Sequence, residues 1–458
     1  MAAASINVTD LIDNDRLGAL QMRVIVLCAI VALLDGFDVQ IVGVAAPAMA
    51  LSLHISPAAL GAALSATLLG LMLGAVTFGT CSDRFGRKRI LVVATASFGI
   101  FTICTGLVTS LDQLLVVRFL AGTGLGGAMP SFIGLVSDYV PRAKRATLVS
   151  LLWTGFPLGG VIGGLLAARF IDALGWQSLF YIGGITPLVL APLLALALPE
   201  SIAHLVRIGA APGKIRHLIS HLRPGISIPS DAGFVISDEQ LTRATVGLLF
   251  SKGRGWITAL LWASYFATFL MLITNVGWTP ILLHRAGISI ARGGLVLAAF
   301  NVGGALGTSL AGLLLGRRAP GAILPAAFVG SALMLGLVGQ VTMSPLLVTI
   351  FEAAAGCCLG AGSSALIALA ALFYPTAIRS TGLGWAMSLG RLGSFVGPLV
   401  VGVLVSRGWQ NASIFAALGA VAICPALCIS AIRRESSSGP ERLEVIQPLS
   451  EPVLEGPV

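Results

Sequence analysis

Residues 24–46 read VIVLCAIVALLDGFDVQIVGVAA, apolar throughout except for Asp35, Asp38 and Gln40. A helix of about 20 mainly apolar residues crosses the hydrocarbon core of a bilayer. This stretch therefore reads as a membrane span with two carboxylates near its middle. Further runs of the same kind lie near 60–80, 90–109, 114–138, 147–170 and 174–198. A second set lies near 256–278, 293–315, 321–341, 345–370, 382–405 and 411–432. The expected fold is an all-α polytopic membrane protein, with twelve transmembrane helices in two six-helix pseudo-repeats. The expected divisions are an N-terminal bundle over 1–198, a central cytoplasmic loop over 199–255, a second bundle over 256–434 and a flexible cytoplasmic tail over 435–458.

Composition supports that reading. Of the 458 residues, 10% are charged and 56% hydrophobic, whereas soluble domains carry roughly a quarter charged residues. An ordinary soluble enzyme and a disordered chain, which needs low hydrophobicity and high charge, are both excluded. The net charge of +9 does not point to nucleic acid, because its distribution follows the membrane. With a cytoplasmic N-terminus, 22 of the 28 Lys and Arg fall in inner segments, as the positive-inside rule requires, facing anionic headgroups. Both termini are then expected in the cytoplasm. The first span is too long for a signal peptide, and no small-residue cleavage pattern accompanies Arg16 and Arg23. The seven cysteines have neither zinc nor redox spacing. The five histidines fall in loops without metal spacing, so no metal or cofactor is expected.

The two halves share a pattern at an offset of 234 residues. VPRAKRAT (140–147) aligns with YPTAIRST (374–381), and Gly159 and Gly163 align with Gly393 and Gly397. Each copy leads from an inner loop into a glycine-rich helix, the parallel repeat of transporters whose halves alternate access to a midplane site.

Ionisable groups inside a membrane are costly and mark functional positions. Asp35 and Asp38 stand three apart and share one helical face. Carboxylates that close in a low-dielectric site repel, so one of them is expected to hold a proton. A proton carrier and a structural salt bridge are the alternative roles. Arg118 opens RFLAGTGLGGAMP (118–130), whose glycines permit close helix packing. It suits either a substrate carboxylate or a pair with Asp35 or Asp38. Arg391, in SLGRLG of the eleventh span, is the second buried cation. Glu352, nearer the outer end of the tenth span, reads as a solvated vestibule residue. In the loop GTCSDRFGRKR (79–89), Gly79, Asp83, Arg84, Gly86 and Arg87 read as a gating latch between helices, with Gly86 making the turn.

That loop resembles the loop motif of the major facilitator superfamily. Arg118 with its glycines, Gly155-Phe156-Pro157 and Pro199-Glu200-Ser201 resemble further motifs of it. DGFD (35–38), RFLAGTGLGGAMP and YPTAIRSTGLGWAMSLGRLG (374–393) are similar to the aromatic acid:proton symporters, the transporters of 4-hydroxybenzoate, benzoate and hydroxyphenylpropionate. The resemblance implies alternating access and uptake of an aromatic carboxylate with protons across a bacterial inner membrane, by a monomer. It assigns Asp35 and Asp38 to transport and coupling, Arg118 to the cavity and Asp83 to the latch. Three positions depart from the family pattern. Gly316 stands where the second-half loop motif has an Asp, Gly277 stands where an Asn precedes Trp278, and Ser363 stands where a Gln follows Gly362.

A cavity for such a substrate needs a cation, which Arg118 or Arg391 supplies. It also needs a surface for the ring, for which Phe37, Trp153 and Trp385 are candidates. Asn301 suits either a ring hydroxyl or an interhelical hydrogen bond, and Ser363 is expected to line the cavity. Symport of a non-aromatic acid such as muconate, and proton-driven drug efflux, are the competing readings. Two mid-span arginines favour an anion over a cationic drug. A membrane-embedded enzyme is disfavoured by the lack of an HExxH or GxSxG motif.

Overall fold

The computed structural model describes residues 5–13, 17–223, 233–235, 246–251, 254–315, 320–342, 344–374 and 378–438. Pro375 and Ala377 of the repeat, Gly316 of the second-half loop and most of the expected tail lie outside the described residues. The chain forms two compact units, Met1–Gln240 and Leu241–Val458. Their boundary falls inside the stretch expected to separate the two bundles.

In the first unit, α1 (Val8–Asp13) precedes α2 (Ala19–Leu53), α3 (Pro57–Phe85), α4 (Arg87–Thr105) and α5 (Leu111–Tyr139). Then follow α6 (Arg142–Trp153), α7 (Gly155–Leu174), α8 (Gln177–Ala197), α9 (Ile202–Arg207) and α10 (Pro212–Leu222). The second unit holds α11 (Gly255–Arg285), α12 (Ile290–Leu315), α13 (Pro320–Gln340), α14 (Pro345–Phe373), α15 (Arg379–Ser406) and α16 (Asn411–Ser438). Among the described residues, twelve helical stretches are long and apolar enough to cross a membrane. They correspond to the twelve runs read from the sequence. The fifth, Thr147–Leu174, is made by α6 and α7 together, with a break at Thr154.

Sequence dictates where several of these helices start. Ser56 caps α3 by accepting from the Ala59 amide at 3.3 Å, with Pro57 in the first turn. Ser110 caps α5 in the same way through Gln113. Gly86 separates α3 from α4 at a φ of 105°, a conformation open to glycine and strained for other residues.

Lipid tails are as apolar as leucine, so spans associate through close packing rather than through hydrophobicity. The first unit pairs α3 with α5, α2 with α7 and α4 with α8. The second repeats the scheme as α12 with α14, α11 with α15 and α13 with α16. Glycines make the first two contacts of each set possible. A Cβ on Gly122 would strike the Thr67 carbonyl, and one on Gly36 would strike the Phe156 backbone. Gly307 against Cys357 and Gly393 against Phe266 play the same part in the second unit.

The stretch 199–255, read as a loop, holds two short α-helices and a strand among its described residues. Its helices α9 and α10 pack onto the first unit, and Ile215 and Ile219 join a core that includes Val24, Cys28, Leu135 and Tyr139. Strand β2 (Gly233–Val235) pairs in parallel with β1 (Ser5–Asn7), tying the N-terminus to the same stretch.

Candidate functional site

Five helices of the first unit converge on one ion pair. The Arg118 Nη2 of α5 lies 2.8 Å from Oδ2 of Asp38 on α2, and Nη1 lies 3.4 Å from Oδ1. Thr102 of α4 donates to Asp38 Oδ1 at 2.5 Å, and Arg118 Nε donates to Thr67 Oγ1 of α3 at 3.0 Å. The guanidinium carbon stands over the Phe180 ring of α8, 5.9 Å from its centroid, within cation–π range. Asp38 and Arg118 are both 0% exposed. A buried pair survives only with good geometry and satisfied partners, and here charge balances charge while two threonines occupy further polar positions. Of the two roles open to Arg118, the structure thus displays the one opposite Asp38. The sequence gives no sign of Thr67, Thr102 or Phe180 as partners, because threonines and phenylalanines are ordinary in membrane helices.

Asp35, one turn before Asp38 on α2, is also buried. Phe37 points away from this pair. Its ring packs on α7 and α8, where a Cβ on Gly183 would come within 2.7 Å of it. Gln40 donates to the Phe156 carbonyl at 3.1 Å, holding α2 against α7. Within about one and a half helical turns, α2 thus carries two buried carboxylates beside a ring and an amide that bind it to its neighbours.

The profile of the Major Facilitator Superfamily matches residues 28–351, and again 261–455. A gallate transporter of Pseudomonas putida is 35% identical over 93% of this chain and 95% of its own. The 4-hydroxybenzoate transporter PcaK of the same organism is 36% identical, over 90% of this chain and 93% of its own. The chain belongs to the Major Facilitator Superfamily. Within it, the chain groups with the aromatic-acid transporters, so it is a multi-pass membrane transporter and not an enzyme. The fold agrees with the crystal structure of a D-xylose-proton symporter at a TM-score of 0.72, with 17% identity over 90% of this chain and 97% of that one.

In this superfamily member, the loop motif takes part in a network around Asp138. Arg87 Nη1 lies 2.5 Å from Asp138 Oδ2 and also donates to the Gly134 carbonyl. Ser201 Oγ donates to Asp138. The Glu200 carboxylate accepts from the amides of Lys88 and Ser201, each at 3.0 Å, and Tyr139 donates to the Glu200 carbonyl at 2.7 Å. Glu200 also stands where a side chain on Gly86 would have to go. Burial raises the desolvation cost of these charges, and each has a partner here. Asp83 and Arg84 are exposed, with Arg84 over the Phe85 ring, and Gly79 packs loosely on Pro130. Asp138 carries no distinguishing signal in the sequence. Its position at the end of α5, one turn before the basic PRAKR segment, looks like a helix-end charge.

In the second unit, Glu352 corrects the expectation of a solvated vestibule. It is 0% exposed and accepts from Asn275 Nδ2 at 2.9 Å and from Thr279 Oγ1 at 3.3 Å. The single Thr279 hydroxyl proton is shared between Glu352 and Asn275 Oδ1, 3.0 Å away. Counting residues from the helix end gives the depth of Glu352 but not its direction, and it faces α11 rather than water. Gly277, one of the departures from the family pattern, lies between these partners and is buried.

The remaining candidates are dispersed. Arg391 is half-buried on α15. Trp385 is 44% exposed and stacks on Trp262 at 6.0 Å between centroids. Trp153 is 41% exposed at the end of α6. Asn301 and Ser363 each donate to a carbonyl four residues back in their own helix, Leu297 and Leu359.

Proposed function

We propose that this transporter takes up an aromatic carboxylate together with protons, by alternating access, across the inner membrane of a bacterium. In this reading it works as a monomer with both termini in the cytoplasm. The observation that carries the reading is the buried Asp38–Arg118 pair with Asp35 one turn away, in a chain whose relatives are named for gallate and 4-hydroxybenzoate.

The pair offers a way to couple two ligands. While Asp38 is a carboxylate, it occupies the guanidinium of Arg118. Once a proton neutralises Asp38, Arg118 loses its counter-charge, and a substrate carboxylate can supply it. Substrate release returns Arg118 to Asp38 and expels the proton. Asp35, on the same helix face, is the group through which that proton passes. The energetics favour such coupling. An aromatic acid is an anion at neutral pH, and the inside-negative potential opposes its entry by about 2.3 kcal/mol per charge per 100 mV. One accompanying proton cancels that term, and a second makes entry favourable.

The test is uptake of labelled 4-hydroxybenzoate and gallate into proteoliposomes, with and without an inward proton gradient, against a panel of unlabelled acids. Gradient-driven uptake competed by aromatic carboxylates, but not by muconate, is expected. Equal competition by muconate would replace the substrate class, and gradient-driven export of cationic drugs would replace the reading altogether.

A further inference from the structure

A cavity of about 450 Å³ opens at the end of the first unit where the α3–α4 turn meets α9 and α10. Lys88 and Arg89 line it from the turn, His204 from α9, and Lys214 and His217 from α10. Among the described residues, Lys88, Arg89 and Lys214 form no ion pair. The one carboxylate in the lining, Glu200, is held by the backbone amides of Lys88 and Ser201. His204 is 6% exposed, and its Nδ1 has no hydrogen-bond partner among the described residues. Three cations with no ion pair among the described residues, and two imidazoles, thus surround a space with one carboxylate, itself engaged by amides. That is an environment for an anion.

The walls narrow the anion further. Leu205, Ile208 and Leu218 line the same cavity, with Phe85 at its edge. Phe85 is 52% exposed and Ile208 57%. Helix α10 is two-faced: Ile215, Ile219 and Leu222 are buried in the unit, while Lys214, His217 and His221 are exposed. With its apolar face packed into the protein core, α10 turns its basic residues outward beside the cavity, and basic pockets beside membrane helices suit lipid headgroups. An apolar rim has no use for inorganic phosphate, whereas it suits the glycerol and first methylenes of a lipid.

We propose that this cavity binds the phosphate of an anionic phospholipid headgroup, through Lys88, Arg89, Lys214 and His204, with the glycerol and upper acyl chain against Phe85 and Ile208. The site is built entirely within the first unit, away from Asp38 and Arg118. Its occupancy is read as bound lipid and not as transport, so it stands or falls independently of the substrate reading.

The experiment is native mass spectrometry of the full chain in detergent, titrated with dioleoyl phosphatidylglycerol, dioleoyl phosphatidylcholine or inorganic phosphate. Phosphatidylglycerol is expected to bind with one-to-one stoichiometry and phosphatidylcholine to bind weakly. Basic residues near an anionic lipid surface are worth about 1 kcal/mol each, so Arg89→Gln with Lys214→Gln should weaken binding about 25-fold. Lys214→Glu, at an exposed position where folding is not at stake, should weaken it on its own, and Lys214→Arg should keep it. Undiminished phosphatidylglycerol binding by Lys214→Glu would overturn the site. Equal binding of phosphatidylcholine would overturn its selection for charge. Displacement of the lipid by inorganic phosphate would reassign the cavity to a free anion.

Discussion

Asp38 on α2 and Arg118 on α5 face each other at 2.8 Å with neither side chain exposed, and the pair gathers hydrogen bonds from α3 and α4. Mutual neutralisation is what allows either residue to sit at that depth. Removing one partner from a buried pair strands the other and costs about 3–5 kcal/mol, whereas replacing both costs far less. Asp38→Ala and Arg118→Ala should therefore each lower the thermal midpoint in detergent markedly. The double variant Asp38→Asn with Arg118→Gln should recover most of the midpoint and none of the uptake. Thermal unfolding and uptake, measured on the same preparations, separate the structural from the transport contribution.

The α3–α5 contact depends on the absence of a side chain at Gly122, which faces the Thr67 carbonyl. Overpacking of this kind costs about 1–3 kcal/mol, and here the obstruction is backbone, which yields poorly. Gly122→Val should reduce the folded yield in the membrane, with displacement of Thr67 from Arg118 reducing uptake further. Gly312→Ala, where nothing stands within 4 Å of the added methyl, should change neither. Fluorescence-detected size exclusion reads the folded yield directly.

The loop motif and the Asp138 network separate two roles. Asp138→Asn removes the charge facing Arg87 at 2.5 Å and should lower both turnover and the thermal midpoint. Asp83 is exposed and forms no ion pair among the described residues. Asp83→Asn should slow turnover while leaving substrate binding and the midpoint near those of the parent protein. Binding by calorimetry, beside uptake rates, tells the two variants apart.

Glu352 sits between two neutral donors, Asn275 and Thr279, and forms no ion pair among the described residues. A carboxylate so placed holds polar groups together more than it holds charge. Glu352→Gln keeps one acceptor oxygen for Asn275 and presents an amide donor that the Thr279 hydroxyl can accept, so it should leave the midpoint nearly unchanged. Glu352→Ala leaves buried donors unpaired, at about 1–3 kcal/mol for each group, and should lower the midpoint by several degrees. Equal midpoints for the two variants would contradict the hydrogen-bonding role.

The spans were legible because hydropathy over about 20 residues is a strong signal, and the carboxylates of α2 stood out because the bilayer makes them costly. The partners were not. Thr67, Thr102 and Phe180 lie 51, 64 and 62 positions from the residue each of them touches, and nothing local distinguishes them from other threonines and phenylalanines of membrane helices. Glu352 shows a second limit: distance along a helix was readable and the face it presents was not. In the stretch 199–255, low hydropathy concealed α10, whose buried positions Ile215, Ile219 and Leu222 carry a helical rather than a membrane period. The parallel pairing of Ser5–Asn7 with Gly233–Val235 joins segments too short and too distant to announce themselves.

The central claim is that substrate and proton cross together through the Asp35 and Asp38 region. Proteoliposomes in weak buffer, with no gradient imposed, test it when 4-hydroxybenzoate is added outside and the external pH is followed. Alkalinisation in step with uptake is expected for the parent protein, and neither is expected for Asp35→Asn or Asp38→Asn. Uptake of labelled substrate by the parent protein with no change in external pH, or undiminished alkalinisation in both variants, would contradict the coupling.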